Sequence, residues 1–298
     1  MWDSIKQTCV VCVAGLILLP LTYWAVGNLH AADGADSVPA AFAVSGLGSA
    51  FIPFVGCSVL ILILTIAGGK LTHRYTGAFI LGLGWLLMSN QAPSIDSLIR
   101  SAVGQDALGA SLYVMLAVEA VAWGLVSLLG VWALHRWAPN QYPNEVAWAD
   151  KQSLMATGVA LVLGCGFCWA FLRTDLKGQT LYGTAAAITL AVMITRMTWP
   201  NACGSMLFLA PFGVAVVGYL AAIFMVGPQA LEQQLDGTLW PLLRPIPLDY
   251  AAGGLLGVSV GIAMARSFAY EDRDSSLTSS RQNPTAPPAP AVKLIRKG

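Results

Sequence analysis

Residues 108–137 read LGASLYVMLAVEAVAWGLVSLLGVWALHRW, a stretch long enough to cross a bilayer, and they carry one carboxylate, Glu119, near their middle, where it is expected to lie at the membrane midplane. A membrane span needs about 20 mostly apolar residues at ~1.5 Å of rise each. Residues 112–134 meet that need with Glu119 as their single ionisable side chain. An acidic residue at a helix centre costs roughly 2.5 to 3.5 kcal/mol on insertion scales, so it turns toward protein or water and marks a candidate site. Met115 and Trp123 stand four residues either side of Glu119 and share its helical face. Glu119 and Trp123 are therefore the candidate proton or solute site. The plainer role for Glu119 is a protonated strut that donates one hydrogen bond to a neighbouring helix, with Thr65, Thr189, Tyr219 and Ser259 as polar partners.

The rest of the chain has the same character. Of its 298 residues 56% are apolar and 10% charged, and the mean hydropathy is +0.67. A soluble domain carries about 25% charged residues, so the shortfall makes the bilayer the expected solvent and partner. A net charge of +1 gives no reason to expect nucleic acid. The expected fold is an all-α, polytopic transmembrane bundle of about eight spans, at 8–27, 50–68, 71–89, 108–137, 153–172, 180–199, 203–226 and 251–268. These make one domain, 1–270, followed by a tail, 271–298, rich in Ser, Pro and Ala and expected to be disordered. The first stretch is read as a retained span, the alternative being a signal peptide cleaved near Ala31. Between the third and fourth spans, residues 94–103 place Ile95, Leu98 and Ile99 on one face, with Ser94 as N-cap, and are expected to lie on the membrane surface. Asn144 is expected to cap the helix that leads into the fifth span.

With eight spans, twelve of the sixteen Lys and Arg residues fall on the side of the two termini. The positive-inside rule then puts both termini in the cytoplasm of a multi-pass protein, expected in a bacterial-type inner or plasma membrane. On the opposite side Arg173, Asp175 and Lys177 lie in one turn, and Arg244 and Asp249 precede the last span. Together they are a candidate outer vestibule for an anionic or zwitterionic solute, with surface ion pairing as the plainer alternative. In the last span Gly253, Gly257 and Gly261 recur at intervals of four, a stripe that lets another helix approach closely.

Two Cys-x-x-Cys pairs, Cys9 with Cys12 and Cys165 with Cys168, fall toward opposite faces and cannot form one four-cysteine site. A site from Cys9, Cys12, His73 and His135 is conceivable by depth alone, but nothing in the spacing requires it. A thiol relay through Cys57 would need an i,i+3 disulfide within a helix, which is strained. No phosphate loop, nucleophile elbow or His-Glu-x-x-His motif occurs. No metal, cofactor or catalytic set is expected. The functional reading is an integral membrane protein, with a small-solute or proton-coupled carrier as the first reading. A structural or assembly subunit, binding other membrane proteins or itself, is the alternative, and a membrane-embedded enzyme comes third.

Overall fold

The computed structural model describes residues 2–27, 47–92, 94–104, 110–140, 145–148 and 150–282, and no strand occurs among them. The long elements are α1 (Trp2–Gly27), α2 (Leu47–Leu71), α3 (Arg74–Gln91), α4 (Ile95–Gly104), α5 (Ala110–Trp137), α6 (Lys151–Phe171) and α7 (Lys177–Thr198). They are followed by α8 (Gly204–Leu207), α9 (Ala210–Met225), α10 (Ala230–Leu235) and α11 (Pro247–Gln282). Among the described residues six helices are long and apolar enough to cross a membrane: α1, α5, α6, α7, the joined α8 and α9, and α11 as far as Phe268. The apolar part of α2 that meets the test is shorter, Val55–Leu71. In α3 the polar residues sit at the two ends, Arg74 and Thr76 at the first and Ser89, Asn90 and Gln91 at the last.

Local chemistry explains where these helices stop. Asp150 caps α6, its carboxylate accepting from the Gln152 amide at 2.9 Å. The cap expected at Asn144 lies outside the described residues, and the helix expected to run from there does not form across 145–148. That backbone is instead held in place by Val146, whose N–H donates to the Asn201 carbonyl at 2.9 Å, and by the buried side chain of Glu145. The expected seventh span is broken into α8 and α9 because Pro211 sits in the first turn of α9, where its missing N–H is tolerated. The loop 227–246 folds into two short 3-10 turns and α10, with Gly227 and Gly237 at φ +54° and +69°. On α4, Ile95, Leu98 and Ile99 are buried, and the helix packs against α10. The α11 backbone stays helical to Gln282, beyond the boundary expected at 270, and 283–298 lie outside the described residues.

α11 is the most enclosed of the six apolar helices, and its principal neighbour is α7. The reason is the glycine stripe. A Cβ on Gly253, Gly257 or Gly261 would fall 2.6, 2.6 and 2.7 Å from the carbonyl oxygens of Leu181, Ala185 and Thr189, successive turns of α7. The two backbones therefore meet without intervening side chains. On other faces Gly254 lies under Pro211 of α9, and Gly82 of α3 lies under Leu256.

A methyl group at Gly257 has backbone in its way, which cannot rotate aside, whereas Gly158 of α6 has nothing within 4 Å of its Cβ position. Gly257→Ala should therefore lower stability by about 1–3 kcal/mol, and Gly158→Ala should be neutral or raise it by up to about 1 kcal/mol through helix propensity. Thermal unfolding of both variants in detergent checks the pair. Equal behaviour would contradict the contact.

Candidate functional site

Ionisable and polar side chains collect at three levels of the bundle. At the end where α1 begins, Glu145 is the centre. Its side chain is 4% exposed and pairs with Arg74 from the first residue of α3, 4% exposed, and with Arg196 from the last turn of α7, 6% exposed. One carboxylate oxygen, Oε2, takes the Arg74 guanidinium. The other, Oε1, accepts from the Tyr75 hydroxyl at 2.6 Å, Arg196 Nη2 at 3.1 Å and the Gly204 amide at 3.2 Å. Arg196 also donates to the Ala202 carbonyl. Arg74 Nη1 lies 3.0 Å from Nδ1 of His135, and since arginine can only donate, that nitrogen is the acceptor. Two guanidiniums on one carboxylate leave the cluster with one positive charge in excess.

Glu119 lies on α5 about 14 Å by helical rise from Ala110 and about 27 Å from Trp137, so it is off-centre. It is 2% exposed and accepts from Trp123 Nε1 at 3.2 Å. Trp123 meets Trp85 of α3 edge to face, with centroids 4.8 Å apart, and Trp85 Nε1 donates to Ser127 at 3.3 Å. These contacts join α5 to α3 through the membrane core. Three of the four hydroxyls expected as partners donate elsewhere, Thr189 to the Ala185 carbonyl, Tyr219 to that of Pro245 and Ser259 to that of Leu255, and the buried Thr65 hydroxyl makes no hydrogen bond. Fully buried Tyr219 lies within electrostatic reach of both Glu119 and Asp249.

At the opposite end Asp249, 1% exposed, sits in the first turn of α11 and is satisfied from four directions. Lys177 Nζ donates to Oδ1 at 2.5 Å, and Ser89 donates to the same oxygen. Thr180 donates to Oδ2 at 2.9 Å, and the Ile246 amide donates to that same oxygen at 3.3 Å. The five residues expected to form a vestibule are thus divided. Lys177 and Asp249 form this buried pair. Asp175 faces Arg244 at 3.4 Å and accepts from Gln234, whose amide also reaches Asp96 of α4. Arg173 stands apart, with its guanidinium 4.9 Å over the Trp169 ring. Burial raises the Asp175 carboxyl above its ordinary range, opposed by Arg244 and aided by Asp96.

All six cysteines are free, with Cys9 and Cys12 exposed and Cys57 and Cys168 buried. Among the described residues no three His, Cys, Asp or Glu side chains come together as metal ligands. Glu145, Arg74 and Arg196 were not singled out from the sequence as a site, because the two arginines read as ordinary cytoplasmic-side charges and Glu145 as a loop residue. The available signal was that all three fall at one end of the bundle, beside helix boundaries.

Removing Glu145 strands two buried cations, so Glu145→Ala should cost about 3–5 kcal/mol. Arg100→Ala, which breaks the exposed i,i+4 pair with Asp96, should cost about 0–1 kcal/mol. Chemical or thermal unfolding of the two variants separates these outcomes. Asp175 supplies a pH test. Its folded-state pKa lies above the unfolded value, so protonation favours the fold. That contribution is complete below about pH 4, the ordinary aspartate value, and is lost as pH rises through the raised value. Relative to Asp175→Asn, the wild type should therefore gain thermal stability as pH is lowered toward 4. Parallel unfolding curves across that range would contradict the burial.

Comparison with protein families, curated proteins and solved structures returned no match, and what stands on the geometry is a multi-pass integral membrane protein with six apolar helices of spanning length.

Proposed function

We propose that this protein is a small-solute, proton-coupled carrier, in which the two buried charge clusters act as gates and Glu119 is the proton-exchanging group. The observation that carries the reading is the shared construction of the two clusters. α3 contributes Arg74 and Tyr75 at one end and Ser89 at the other, and α7 contributes Lys177 and Thr180 at one end and Arg196 at the other. Each helix therefore has one foot in each gate, about 22 Å apart by helical rise on α3 and about 24–28 Å apart on α7. Movement of α3 or α7 that loosens one cluster bears directly on the other, which is what alternating access requires.

In this reading α2 and α3 join the six apolar helices to make eight spans, with both termini cytoplasmic. The Glu145 gate then faces the cytoplasm and the Asp249 gate faces out. Breaking either buried cluster is costly, so a gate opens only when solute or proton binding offsets the loss. Glu119 lies nearer the Asp249 end, so it takes up its proton from that side. The glycine stripe is occupied by α7 of the same chain, so it lends no support to the subunit reading.

Glu119→Gln keeps the size and hydrogen-bonding capacity of the neutral acid but cannot exchange a proton. It should fold with wild-type thermal stability and abolish flux driven by a pH gradient in reconstituted vesicles. Glu119→Leu should lower stability by ~1–3 kcal/mol, because the Trp123 donor loses its acceptor. A wild type that moves no proton with any solute class, together with a Gln variant of unchanged stability, would overturn the carrier and leave a strut.

A further inference from the structure

A cleft of about 590 Å³ opens between the first turns of α1, the start of α3 and a largely exposed face of α11. It spans Ser259 to Ser267 along α11, which is about 12 Å by helical rise. Cys12, Val260, Ala263 and Met264 line it and are also exposed, so its mouth lies on the outer surface of the bundle between α1 and α11. On a spanning helix pair that surface is the bilayer, and molecules dissolved in the membrane reach the cleft sideways.

The lining defines what fits. Val11, Phe79, Val260 and Met264 give it apolar walls suited to a hydrocarbon chain. None of its lining side chains carries a carboxylate, ammonium or guanidinium group. His73 at the rim stays neutral, since burial and the nearby Arg266 both push its pKa down. A charged head would be desolvated here without a counter-ion in the lining. The hydroxyls add a direction. Thr8 donates to the Ser4 carbonyl at 3.0 Å, Ser259 to that of Leu255 at 2.9 Å and Ser267 to that of Met264 at 2.8 Å. With their protons committed to their own helices, these three oxygens are left as acceptors, while Gln7 and His73 in the same lining keep N–H donors, so the complementary head carries hydroxyls, which both donate and accept.

We infer that the cleft binds an uncharged, single-chain lipid whose head carries free hydroxyl groups, of the monoacylglycerol type, taken directly from the bilayer. The hydroxyls meet the Thr8, Ser259 and Ser267 oxygens, and the chain lies against Phe79 and Val260. The cleft touches the Glu145 cluster only through Tyr75, which lines it, and its occupancy is read without any transport assay.

Cys12 and Cys9 provide the readout, because both are exposed on α1 and only Cys12 lines the cleft. The full-length protein in detergent is treated with N-ethylmaleimide, and modification of each cysteine is followed by peptide mass spectrometry. Monoolein should slow Cys12 by about fivefold at saturation while leaving Cys9 unchanged. Oleate, with the same chain and a charged head, and methyl oleate, which has no donor, should slow Cys12 by less than about twofold at the same concentrations. Ala263→Trp, a change at the exposed mouth that fills the cleft, should slow Cys12 without lipid and remove the monoolein effect. Equal slowing of both cysteines, or no slowing of Cys12, overturns the site. Protection by oleate or methyl oleate equal to that by monoolein overturns the ligand class.

Discussion

The backbone contact between α7 and α11 sets the rest of the structure. Three glycines at intervals of four let the α7 carbonyls of Leu181, Ala185 and Thr189 approach the α11 main chain directly. A contact of that kind fixes both the separation and the axial register of two helices, because no side chain can repack to absorb a slip. Register is what brings Lys177 and Thr180, in the first turn of α7, against Asp249 in the first turn of α11. It also fixes the position of Arg196 at the far end of the same helix, where Glu145 meets it.

The charge clusters answer a constraint of low-dielectric surroundings, where an ion is tolerated only with its lone pairs and protons matched. Asp249 meets that condition with four donors, three from two helices, α3 and α7, and one from the adjoining loop. Glu145 meets it with two arginines, a phenol and a backbone amide. In both cases the carboxylate comes from near a helix start or a loop and draws its donors from helices distant in sequence. The clusters thereby tie together parts of the chain that hydrophobic packing alone would leave free to slide, since lipid tails are as apolar as the helices themselves.

Much of this architecture is legible in the sequence. The apolar lengths of α1, α5, α6, α7 and α11 and the stripe on α11 follow from hydropathy and spacing, as does the burial of Glu119. Its off-centre depth does not, since that depends on where α5 begins relative to its neighbours. The Glu145 cluster is illegible for a different reason. Positive-inside counting treats Arg74 and Arg196 as solvated charges that report orientation, and their burial arises only when α3, α7 and residues 145–148 converge. The vestibule residues are divided for a similar reason, because adjacency in sequence joins Arg173 and Asp175 to Lys177, while the fold turns Lys177 inward and leaves Arg173 on an indole surface. The break at Pro211 was hidden inside an apolar run, where proline in a first turn and proline in a helix interior look alike.

Tyr75 belongs to two neighbourhoods at once. Its hydroxyl donates to Glu145, and its side chain forms part of the wall of the cleft beside α1. Any molecule that shifts Tyr75 on entering the cleft must therefore alter the free energy of the Glu145 cluster. Thermodynamic reciprocity then requires the cluster, on rearranging, to change affinity in the cleft by the same factor. A single phenol makes the lipid-facing wall and the charged interior two readings of one equilibrium.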